Sequence, residues 1–158
     1  MSTTGLPAFD ETLHLTNAWL KELMAESNWK DRHGAYLALR VVLQGLRDHL
    51  SVEQAAKLGS QLPMLVRGFY YEGWHPAHKP LKDRSRADFL KDVVAGFRQS
   101  PTDDPIDPAA VVGAVCRLLD RHLTPGVTDH VKRALPRGVR QLWPDGTKAE
   151  AAPRVAVL

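Results

Sequence analysis

Apolar residues recur along this chain at helical spacing almost from end to end. Over residues 35–50 they fall at Ala35, Leu39, Val42, Leu43, Leu46 and Leu50, a stripe with a period near 3.6 residues. The opposite face of that segment holds Arg40, Gln44, Arg47 and Asp48. Over residues 108–123 the stripe returns at Val112, Val115, Cys116, Leu119 and Leu123. Weaker stripes run through Leu13, Thr16, Leu20, Leu23 and Met24, and through Phe89, Leu90, Val93, Val94 and Phe97. No stretch of four or more residues alternates cleanly between apolar and polar, so the pattern predicts an all-α fold.

The pattern repeats itself. A shift of 73 positions carries Leu46, His49, Leu50, Leu62, Pro63, Val66, Arg67 and Gly73 onto Leu119, His122, Leu123, Leu135, Pro136, Val139, Arg140 and Gly146. Punctuation follows the same period. Ser51 and Gln54 form a capping box, and Thr124-Pro125 stands at the matching place. Each copy then breaks at Leu-Pro and resumes as a short helix, with Gly73 and Gly146 suited to the stops. Asp10, Ser85 and Asp107 read as further caps. The predicted helices are 10–25, 34–50, 51–61 and 63–72, then 85–98, 108–123, 124–134 and 136–143. Residues 10–146 therefore read as one domain of two four-helix repeats, 10–74 and 83–146. Residues 147–158 carry no period and read as a disordered tail. A unit of roughly 65 residues buries too little surface for comfortable stability alone. We therefore expect a duplicated helical bundle closed across a pseudo-twofold axis.

Composition narrows the setting. Of 158 residues, 44% are hydrophobic and 25% charged, within the globular range. No run approaches the roughly 18 to 20 apolar residues that cross a bilayer, and the first ten residues lack a secretory pattern. One cysteine excludes an intrachain disulfide framework, which favours a cytoplasmic, bacterial setting without a membrane. Residues 1–76 carry seven Lys and Arg against eight Asp and Glu, and residues 77–158 fourteen against ten. That asymmetry can attract phosphates, including those of nucleic acid, or can simply solvate a surface.

The string Leu62-Pro63-Met64-Leu65-Val66-Arg67-Gly68-Phe69-Tyr70-Tyr71-Glu72-Gly73-Trp74, preceded by Ala35-Tyr36-Leu37-Ala38-Leu39-Arg40, resembles the bacterial "domain of unknown function 2267" family. Leu135-Pro136-Arg137-Gly138-Val139-Arg140-Gln141-Leu142-Trp143 is its counterpart in the second half. The resemblance spans residues 10 to 146 and implies an all-helical duplicated domain in a bacterial cytoplasmic protein. It implies no activity, catalytic residue or cofactor.

Candidate chemistry is sparse. Glu72, His75 and His78 lie within seven residues and have the donor types of a transition-metal site, although Pro76 breaks the helical geometry and the second half has no equivalents. His49 and His122 suit either helix C-termini or a symmetric pair of bases. Arg67 and Arg140 sit one turn inside the helices that follow Pro63 and Pro136. There they can hold an anion between the halves or satisfy carbonyls of a neighbouring helix end. Tyr70, Tyr71, Trp74 and Trp143 serve either as core or as a contact surface. Cys116, in the place of Leu43, reads as core. No phosphate loop, nucleophile elbow, paired-cysteine zinc signature or His-Glu-x-x-His helix is present. The expectation is a non-catalytic module without a cofactor, working through protein–protein or self contacts. The alternative is an anionic ligand or nucleic acid held by Arg67, Arg140 and the basic second half. An undescribed enzyme would have only Glu72, His75 and His78 to work with.

Overall fold

The computed structural model describes residues 2–81, 85–100, 102 and 104–145, with His78 described by its backbone alone. Those residues form eight α-helices and no strand. In order they are α1 (Pro7–Ser27), α2 (Arg32–Asp48), α3 (Val52–Ser60) and α4 (Met64–Tyr71), then a 3-10 turn at Pro76–His78. After it come α5 (Arg86–Arg98), α6 (Pro108–His122), α7 (Pro125–Ala134) and α8 (Arg137–Arg140).

The two strongest stripes become the centre. Leu39, Val42, Leu43, Leu46 and Leu50 on and after α2, and Val112, Val115, Cys116, Leu119 and Leu123 along α6, are all buried. Helix α2 packs against α1, α4, α5 and α6, while α6 packs against α1, α2, α5 and α7. Helix α1 thus lies on α6 as α5 lies on α2, and α3 meets α7. The α2–α5 contact is close because both helices carry a glycine where they cross. A Cβ on Gly45 would come 2.9 Å from the Phe89 ring, and one on Gly96 would overlap Val41.

Helix ends depart from the sequence reading in instructive ways. Helix α1 starts at Pro7, with Leu6 as N-cap, not at Asp10. Proline at the first position gives up no bond there. The Asp10 carboxylate instead accepts from the Thr4 amide at 2.9 Å and the Thr4 hydroxyl at 2.8 Å, which with Ser2 pins the preceding segment. Helix α2 starts at Arg32 because Asp31 accepts from the His33 amide at 2.9 Å. Pro63 and Pro136 are N-caps, not helical residues; their carbonyls accept from Arg67 and Arg140 amides, both at 2.8 Å. Thr124 makes no side-chain cap bond. Helix α8 ends at Arg140, after which Leu142 and Trp143 turn into the core. The Ser51–Gln54 capping box forms, as do the Ser85 and Asp107 caps. Gly73, at φ +75°, turns the chain in the left-handed region just after α4. Gly146 and the tail 147–158 lie outside the described residues.

Candidate functional site

The short α4 is placed by its neighbours, because eight residues form a marginal helix alone. Its start is tied to α1 by the Thr12 hydroxyl, which accepts from the Leu65 amide at 2.8 Å. Its end is tied to α2 by the polar face of that helix, which turns toward α4 and not outward to solvent. Arg47 is only 4% exposed; its Nη1 donates to the carbonyls of Tyr70 at 2.8 Å and Glu72 at 2.9 Å. Gln44 donates to the Phe69 carbonyl at 2.8 Å, and Arg40 pairs with the Glu72 carboxylate at 2.8 Å. Positions 40, 44 and 47 form a second stripe beside the apolar one, spaced at one-turn intervals. Their cations and amide meet the orphan carbonyls and negative end of α4.

With α4 fixed in this way, a groove of about 580 Å³ opens between three helices. Helix α1 contributes Thr16, Asn17 and Leu20, and α2 contributes Arg32, His33 and Tyr36. Helix α4 contributes Leu65, Gly68, Phe69 and Glu72. Tyr36 and Phe69 meet edge to face, their ring centres 5.3 Å apart. Leu65 is 42% exposed, and a Cβ on Gly68 would meet no atom within 4 Å, so the absence of a side chain there leaves the groove open. His33 Nε2 is 2.6 Å from the Ser100 hydroxyl, and Glu72 is held by Arg40. Arg32 is exposed and makes no ion pair or side-chain hydrogen bond among the described residues. Thr16 is buried, and its hydroxyl has no partner among them.

The residues singled out from sequence are not gathered at one place. Arg67 donates from Nε to the Gly59 carbonyl at 2.9 Å and from Nη2 to Leu62 at 2.8 Å. Arg140 repeats the second bond one period later, to Leu135 at 3.0 Å, and also reaches Arg133 at 3.3 Å. Both guanidinium groups therefore serve carbonyls at the end of the preceding helix. Tyr70 is fully buried and donates to the Ala55 carbonyl at 2.7 Å; burial pushes its phenol far above the ordinary range. Tyr71 and Trp74 pack beside it half-buried, with ring centres 5.3 Å apart. Trp143 is buried and donates to Asp120 at 2.9 Å.

The histidine pair divides its roles. His49 lies 2.8 Å from the Gly45 carbonyl through Nδ1, at the end of α2. His122 instead stacks on Trp19 and meets Glu22 at 2.7 Å. It belongs to a clasp in which Glu22 and Glu26 of α1 face Arg117, Arg121 and His122 of α6. Cys116 is sealed in the core, where burial raises its thiol well above the usual value. Glu72 is engaged by Arg40, His75 is exposed, and the His78 side chain lies outside the described residues. Among the described residues no three His, Cys, Asp or Glu side chains are grouped to hold a metal ion. No helix among them is long and apolar enough to cross a membrane.

No curated protein matches the chain. A family model described as "Uncharacterized conserved protein (DUF2267)" matches residues 16–142, which runs from the groove-lining Thr16 to the end of the second half. The chain therefore belongs to the DUF2267 family.

Proposed function

We propose that the protein is a non-catalytic binding module whose working surface is the groove between α1, α2 and α4, taking a small, largely apolar molecule. The observation that carries this reading is an open groove with an apolar wall of Tyr36, Leu65 and Phe69 beside the buried Leu20. Its volume falls among those of small-molecule sites, which pair apolar walls with a few polar groups. Binding is favoured over chemistry because His33 and Glu72, the groups in the wall best able to trade protons, are each tied to another side chain. A bacterial cytoplasmic setting fits the lone buried cysteine.

The test is a fluorescence titration with the neutral probe N-phenyl-1-naphthylamine. Wild type should bind it, and Gly68→Phe should weaken binding at least tenfold while leaving the unfolding temperature no lower. Equal affinity in the two proteins, or no binding to wild type, would overturn the reading.

Contact with a protein partner or a second copy is a second reading. Phe9, Met64 and Leu65, each more than 40% exposed, favour it over the buried aromatic residues. Light scattering would carry it by showing a dimer that Met64→Glu dissolves. The anion or nucleic-acid reading at Arg67 and Arg140 retains only the charge of the second half, since both guanidiniums are spent on carbonyls.

A further inference from the structure

Resting on the groove as the binding surface, we infer that its occupant is an amphipathic monoanion, a carboxylate on an apolar chain or ring. The head group would lie at the start of α2 against Arg32, and the body would lie along α4.

Observations along the wall converge on that orientation. Arg32 is the one cation in the wall, and it has no ion pair or side-chain hydrogen bond among the described residues. The acid of the same wall, Glu72, is already matched by Arg40 at 2.8 Å, so the charge left over in the groove is positive. The neighbouring acids keep their negative charge, but they turn to neutral donors and pair with no cation of the wall. Asp31 accepts from the His33 amide at 2.9 Å and the Thr102 hydroxyl at 2.6 Å, and Asp104 accepts from the amides of Lys30 and Asp31. Arg32 is also the first residue of α2, at the positive end of the helix dipole, where the Asp31 carboxylate already takes the His33 amide. One turn on, Tyr36 brings a hydroxyl to the same wall with no hydrogen bond among the described residues.

Away from this end the wall is apolar through Leu20, Leu65 and Phe69, with Gly68 leaving room between them. Thr16 also borders the groove, but its hydroxyl is sealed from solvent and offers a guest no contact. A fully apolar guest would leave Arg32 unanswered. A dianion would bring more charge than one guanidinium balances. A single carboxylate, taken by the two-pronged guanidinium, matches the donors present.

Octanoate and 1-octanol, which share a chain and differ in the head group, separate the alternatives. Their affinities are read by displacement of N-phenyl-1-naphthylamine and checked by calorimetry at neutral pH. Wild type should prefer octanoate by about tenfold, the scale of one charge-assisted hydrogen bond. Arg32→Gln should erase that preference while leaving 1-octanol binding unchanged, and Gly68→Phe should abolish both. Equal affinities in wild type, or a preference that survives Arg32→Gln, would overturn the anionic head group and leave the groove standing. Binding that Gly68→Phe does not touch would move the site elsewhere. Failure of both compounds and of the neutral probe would sink the groove itself. A second copy occupies it instead if those failures come with a dimer that Gly68→Phe disperses.

Discussion

Replacing Arg47 by Met is the sharpest stability test of how α4 is held. The side chain is 4% exposed, so methionine can occupy much of the same buried channel without opening a large cavity. What it cannot do is donate. The Tyr70 carbonyl at 2.8 Å and the Glu72 carbonyl at 2.9 Å lose a charged donor together, and the Tyr70 carbonyl is buried away from water. An unsatisfied buried acceptor costs about 1–3 kcal/mol. For two carbonyls, one of them nearer solvent, the loss comes to about 3 kcal/mol. At about 2–4 °C per kcal/mol for a chain of this size, the melting temperature should fall by about 6–12 °C. Arg40→Met is the control. It breaks a pair whose glutamate is 63% exposed, and such pairs contribute about 0.5 kcal/mol or less. Urea unfolding at matched protein concentration measures both. An Arg47→Met protein within 0.5 kcal/mol of wild type would refute the claim that this guanidinium anchors α4.

Three further outcomes follow from the same contacts. Glu22 is pushed up by burial, but bonds from His122 and then Arg121 outweigh this and hold its carboxyl below the usual value near 4.5. A carboxylate whose folded value is depressed adds stability above its unfolded value and loses it as pH falls through the folded one. The α1–α6 clasp should therefore weaken below about pH 4.5, and Glu22→Gln should flatten that part of a stability-against-pH curve. The Cys116 thiol should resist iodoacetamide in the native protein and react fully in denaturant, as mass spectrometry would show; native labelling would contradict its burial. A fragment of residues 1–76 should show no sharp thermal transition by circular dichroism, because α1 and α2 lose the surfaces they bury on α5 and α6.

Much of this architecture was legible in the chain because it rests on local periodicity. The stripes of α2 and α6 are buried where a 3.6-residue repeat places them, and Cys116 is as fully buried as Leu43. Leu-Pro breaks and the Ser51 capping box are equally local, and they mark the helix ends to within a few residues. The misses share a cause. Arg47 reads as a solvent-facing charge until α4 returns 23 residues later with carbonyls that need donors. Arg67 and Arg140 carried two readings in sequence, and only the positions of the Leu62 and Leu135 carbonyls show what their donors do. His49 and His122 are equivalent by position and still acquire different partners, since Glu22 belongs to α1 and meets only one of them. The groove was invisible for the same reason. Thr16, Arg32 and Gly68 lie on three helices, and nothing in their local spacing says that they face one space.

The most direct measurement is a nitrogen–proton correlation spectrum of the labelled full chain titrated with octanoate. Saturating shifts should concentrate on α1, α2 and α4, at Thr16, Arg32, Tyr36, Gly68 and Phe69. A spectrum that does not move, or one whose changes gather around Arg140 and the second half, would contradict the account.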